Sequence, residues 1–171
     1  MLGFVTIQDQ TPGAGDRLLT ATAERLAAAG LRLAGAVQIN TEISPGCECD
    51  MDLRILGDAG PLVRITQSLG AGSQACRLDT GALAQAVART ETVLDRGAEL
   101  LIVNKFGKQE CFGRGFRDTI ARALAAGIPV LVHVPDEQLP GFRDFAGDLA
   151  EELRPEQIDD WCRARLADSA A

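Results

Sequence analysis

Three loops hold the residues that could do chemistry, and each follows an apolar run that reads as a strand. The first is Gln10-Thr11-Pro12-Gly13-Ala14-Gly15-Asp16-Arg17. Its length suits the phosphate-binding pattern G-x-x-x-x-G-K-[ST]. Gln10 stands at the first Gly, Asp16 at the phosphate-binding Lys, and Arg17 at the Mg²⁺-ligating hydroxyl. Asp16 would repel a polyphosphate that the Lys would attract. Gly13 and Gly15 still allow a close backbone approach to an anion at a helix N-terminus, with Arg17 beside it. An ordinary strand-to-helix turn fits the same residues.

The second loop gathers Arg64, Thr66, Gln67, Ser68, Gly70, Gly72, Ser73 and Arg77. Gly70 and Gly72 permit a nest of backbone N–H groups, and the hydroxyls and guanidinium groups complete an oxyanion-binding donor set. A plain loop is the competing reading. The third runs from Asn104 to Glu110, after an apolar run. Phosphoryl-transfer enzymes hold their Mg²⁺-binding acid at such a strand end, where this chain has the neutral Asn104. Glu110 is the nearest carboxylate and could polarise a water. Lys105 and Lys108 attract anions without the bidentate geometry of Arg. If the chain is an enzyme, Glu110 and Lys108 are its catalytic candidates. The missing Lys, hydroxyl and acidic pair lean against catalysis.

The thiols form a separate set. Cys47, Cys49, Cys76 and Cys111 give up to four ligands for zinc or a softer metal, although one C-x-C pair with two singles departs from the usual structural-zinc spacing. Buried or idle cysteines are the alternative. Cys162, beside Trp161, reads as packing, as does His133 at a strand end.

The elements that must position these loops alternate along the chain. Residues 2–8, 31–39, 99–103 and 129–134 read as strands, the third as a central parallel one. Asp16 is placed to cap a helix that ends at Gly30. Residues 51–56 and 62–67 read as a small hairpin insert. Helices follow from Asp79 to Gly97 and from about Gly115 to Gly127, with terminal helices over 139–149 and 155–166. The order predicts one α/β domain over residues 1–171, three-layered, with a mostly parallel sheet and helices on both faces.

Composition narrows the function. The 171 residues carry 17 Lys and Arg against 24 Asp and Glu, for a net charge of −7, with six Phe, one Trp and no Tyr. That balance opposes nucleic-acid binding, which needs a basic surface. No apolar run approaches a bilayer span, and residues 1–9 lack the basic start of a signal peptide. Five Cys, an odd number, fit a reduced cytoplasmic setting.

The segments Cys49-Asp50-Met51-Asp52-Leu53, Ile65-Thr66-Gln67-Ser68-Leu69-Gly70, Cys76-Arg77-Leu78-Asp79 and Leu101–Glu110 resemble an uncharacterised bacterial family of domains of unknown function. Some of its members are linked by name to molybdenum or molybdate-transport proteins. The element order is also similar to small P-loop nucleoside-triphosphatases, whose Asp-Glu pair and Gly-Lys-x-Glu run fall at Asn104-Lys105 and Gly107–Glu110. The chain departs from them at the phosphate Lys, the Mg²⁺ hydroxyl and the acidic pair, and fold kinship does not carry activity.

The resulting expectation is a degenerate P-loop-like protein that binds a small oxyanion or phosphorylated ligand. The molybdenum resemblance implies molybdate or a molybdenum-cofactor intermediate as that ligand, and a nucleotide is the other cofactor expectation. The alternatives are a divergent nucleoside-triphosphate hydrolase or phosphotransferase, and a non-catalytic adaptor. The expected partner is a small anion, with neither nucleic acid nor membrane. Oligomeric state stays open, a homodimer among the options.

Overall fold

A computed structural model describes residues 1–8, 11–41, 50–67 and 78–169. Leu2–Val5 (β1) leads into Ala14–Ala28 (α1), and Leu33–Thr41 (β2) returns beside the sheet centre. Asp50–Ile55 (β3) and Val63–Arg64 (β4) are antiparallel additions. Then come Thr80–Asp95 (α2), Leu100–Val103 (β5), Lys108–Cys111 (α3), Arg117–Ala125 (α4) and Val130–His133 (β6). Leu139–Ala146 (α5), Ala150–Glu152 (β7) and Ile158–Ser169 (α6) complete the chain. The sheet runs β4-β3-β2-β5-β6-β1-β7.

β2, β5, β6, β1 and β7 are mutually parallel neighbours. Because side chains alternate across a strand, each central strand feeds two cores. Leu2 and Phe4 of β1, Leu101 and Val103 of β5, and Val130 and Val132 of β6 face one side. Val5, Leu100, Ile102 and Leu131 face the other, with Leu19 and Leu26 of α1 and Trp161 of α6. Leu83 of α2, Ile120 of α4 and Phe142 of α5 cover the first side. This is the expected three-layer α/β architecture, P-loop-like in its opening β1–α1–β2 unit and carrying the hairpin insert.

Two expectations need correction. α1 begins at Ala14, with Gly13 as its cap at φ 74°. Asp16 therefore lies inside the first turn, where its side chain is drawn to other elements. The stretch 139–149 splits into α5 and a 3-10 turn, and an additional parallel edge strand, β7, pairs with β1. No described helix is long and apolar enough to cross a membrane.

Candidate functional site

A cleft of about 570 Å³ opens at the C-terminal ends of the parallel strands, where ligands of open α/β sheets bind. Its wall includes Gly13, Gly15 and Asp16 from the start of α1, Asn104 to Glu110 after β5 (Phe106 excepted), and His133 at the end of β6. Ile65 and Leu78, the nearest lining residues on either side of segment 68–77, also line it.

Asp16 is a hub. Asn104 donates its Nδ2–H to Oδ1 at 2.8 Å, and Asn40 donates to Oδ2 at 2.6 Å. Gln38 donates to Oδ2 at 3.2 Å and to the Asn40 Oδ1 at 2.8 Å. The Asn104 Oδ1 in turn accepts the Gln38 backbone N–H at 2.8 Å. A carboxylate and three carboxamides thus join α1, β2 and β5 at the positions where P-loop enzymes bring a Lys and acids to Mg²⁺ and phosphate. Asp16 and Asn104 do not supply a Mg²⁺–nucleotide's requirements: the Lys is absent and the acid pair is replaced.

His133 packs against Gly15. A Cβ added there would lie 2.6 Å from the imidazole Nδ1, so the approach requires glycine. Burial holds the imidazole below its ordinary pKa; the Asp16 charge opposes that shift, while the Lys105 charge adds to it. Nδ1 is buried without a hydrogen-bond partner.

Glu110 is held differently. Its Oε2 accepts the Gly107 N–H at 2.9 Å and its Oε1 the Phe116 N–H at 3.0 Å. The residue is buried, 4% exposed, which raises its pKa despite those bonds. Both oxygens are therefore engaged with the loop's own backbone. Gly115, at φ 58°, gives them room: a Cβ there would fall 2.0 Å from Oε1.

The structure thus brings together Gly13, Gly15, Asn104, Lys105, Lys108 and Glu110. Lys105 and Lys108 are exposed and form no ion pair among the described residues. Arg17 lies outside the wall, its Nη1 donating to the Pro12 carbonyl at 2.9 Å. Arg64 is committed to Asp52 at 2.7 Å and to Asp50, and neither it nor Gln67 lines the cleft. Cys111 is also outside it, its Sγ donating to the Gln138 Oε1 at 3.3 Å. Ser68, Gly70, Gly72, Ser73, Arg77, Cys47, Cys49 and Cys76 lie outside the described residues. Among the described residues no three His, Cys, Asp or Glu side chains group as a metal site. Sequence reasoning missed Gln38 and Asn40 as partners of Asp16, and His133 as a wall of the cleft. The available signal for His133 was its place at the end of a strand.

The comparisons with known proteins follow the same lines. A molybdenum import ATP-binding protein, ModC 2 of Bradyrhizobium diazoefficiens, is 39% identical over 150 residues. Those residues are 86% of this chain and 17% of the relative, so the chain spans only a small part of that protein's length. No solved structure matches. The family model described as protein of unknown function DUF2478 matches residues 4–161, and the chain belongs to that family.

Proposed function

We propose that the protein is a degenerate P-loop-like binding protein that holds a small oxyanion or phosphorylated ligand without Mg²⁺, in the service of molybdenum metabolism. The observation that carries this reading is the meeting of Lys105 and Lys108 with the N-terminus of α1 in one cleft. Helix N-termini and unpaired ammonium groups both favour anions. The cleft, about 570 Å³, exceeds the room a bare tetrahedral anion needs at ~30 Å³ per water-sized volume. It is in the range that takes a whole small molecule. The relative's printed name supports the link to molybdenum metabolism and a nucleotide as the organic candidate.

Thermal-shift titration with molybdate, phosphate and ATP, each with and without Mg²⁺, tests the reading. A Mg²⁺-independent rise in Tm supports it. A rise only with ATP and Mg²⁺ together favours a hydrolase, and flat curves for every ligand favour an adaptor.

A further inference from the structure

We propose that Asp16 makes the cleft select an oxyanion that still carries a hydroxyl, such as hydrogen phosphate or a protonated phosphoryl group on a larger ligand. Fully dissociated tetrahedral dianions such as sulfate and molybdate are disfavoured. The inference rests on the anion-binding reading above and names the ligand class of that same site.

An ionised carboxylate is acceptor-only, with about four lone-pair positions. Asn104 takes one on Oδ1, and Asn40 and Gln38 take two on Oδ2. One position on Oδ1 remains, on a side chain that lines the cleft. A fully dissociated oxyanion offers only acceptors, so against Asp16 it sets lone pair against lone pair and charge against like charge. A ligand hydroxyl places a proton between the two oxygens, and O–H···O⁻ bonds are among the strong ones.

The donors come from the other walls. His133 presses its ring on Gly15, and its Nδ1 is buried and unpartnered. Buried unpaired N–H groups are rarer than under-used acceptors, which places the ring proton on Nε2, the nitrogen left for a ligand. Lys105 adds charge close enough to act on His133 and Glu110. The charged groups acting on His133 are Asp16 from α1, Lys105 from the loop after β5, and Asp136 and Glu137 from the turn after β6. Asp16 thus adds an acceptor beside the His133 and Lys105 donors, the pattern a hydroxyl-bearing oxyanion completes. The Asp136 and Glu137 carboxylates also line the cleft and add further acceptors for a ligand hydroxyl.

Calorimetric titration of the full chain without Mg²⁺ reads this directly. Inorganic phosphate should bind at least about tenfold tighter than sulfate or molybdate, since sites built to pair a ligand hydroxyl reject analogues that lack it. Asp16→Asn should bring the ratio to about unity. A phosphate monoester gives up its last hydroxyl proton near pH 6. Its affinity relative to sulfate, which has no proton to lose, should therefore fall between about pH 5.5 and pH 8. This wild-type arm stands even if the variant does not fold, and it separates a phosphoryl group on a larger ligand from free phosphate. Sulfate or molybdate binding as tightly as phosphate overturns the inference while leaving anion binding intact. So does a ratio unchanged in Asp16→Asn, or a monoester-to-sulfate ratio that is flat with pH. Absence of binding by every probe overturns both this inference and the anion-binding reading.

Discussion

Asp16 and Glu110 are two carboxylates in the wall of one cleft, and their partners come from different kinds of place. Glu110 takes backbone N–H groups three residues before it and six after it, and is almost wholly buried. Asp16 is half-buried and takes side-chain donors 88, 24 and 22 positions away. Glu110 closes its own loop; Asp16 ties three elements together and keeps an acceptor for something else. A carboxylate in a cleft is therefore not yet a catalytic candidate. What matters is how many of its lone pairs the fold has already used.

Mutations should separate the two roles. Glu110→Ala should have the largest effect, since it strands the Gly107 and Phe116 N–H groups where the carboxylate was buried. Each buried unsatisfied group costs about 1–3 kcal/mol, so a loss of roughly 2–4 kcal/mol is expected in urea denaturation. Asp16→Ala should cost less, about 1–2 kcal/mol, because two of its three partners, half-buried Gln38 and exposed Asn40, can turn to water, and only Asn104 is buried. A larger loss at Asp16 than at Glu110 would reverse the comparison.

Gly15→Ala sharpens it further. The new Cβ displaces the His133 ring, costing on the order of 1 kcal/mol. Anion-induced stabilisation should disappear in the same variant, which a purely structural glycine would not cause.

The smallest effect is a pH slope. His133 is held below its ordinary pKa, so the unfolded chain takes up its proton first. Its contribution is present above about pH 6.5 and is lost as pH falls through the folded-state value. Glu110 works in the opposite sense: its pKa is raised, so its contribution is present below about pH 4.3 and is lost as pH rises through the folded value. Stability curves of His133→Gln and Glu110→Gln against wild type should deviate in these opposite directions.

The parallel strands were legible because Leu100–Val103 and Val130–His133 are short apolar runs between helical patterns. β7 was not, since Ala150-Glu151-Glu152 is polar and gains its place by edge pairing with β1. The one-turn α3 was likewise hidden inside a loop. At the site, Gly13, Gly15 and the 104–110 loop could be named because their offsets from strand ends are local. The carboxamide cluster could not: Gln38 sits on a strand otherwise read as apolar, Asn40 lies just past the end read for that strand, and contacts across such separations leave no periodic trace. Arg64 looked like an anion ligand because its pairing with Asp52 across the hairpin is invisible in composition.

Phosphate titration of wild type and Lys105→Ala/Lys108→Ala in the absence of Mg²⁺, followed by Tm, decides whether the cleft is a metal-independent anion site. Ligand at 100 times its Kd adds about 2.7 kcal/mol, a shift of several degrees for a domain of this size. That shift is expected in wild type and is expected to vanish in the double variant. A wild-type Tm unmoved by phosphate, or a shift that survives removal of both lysines, would contradict it.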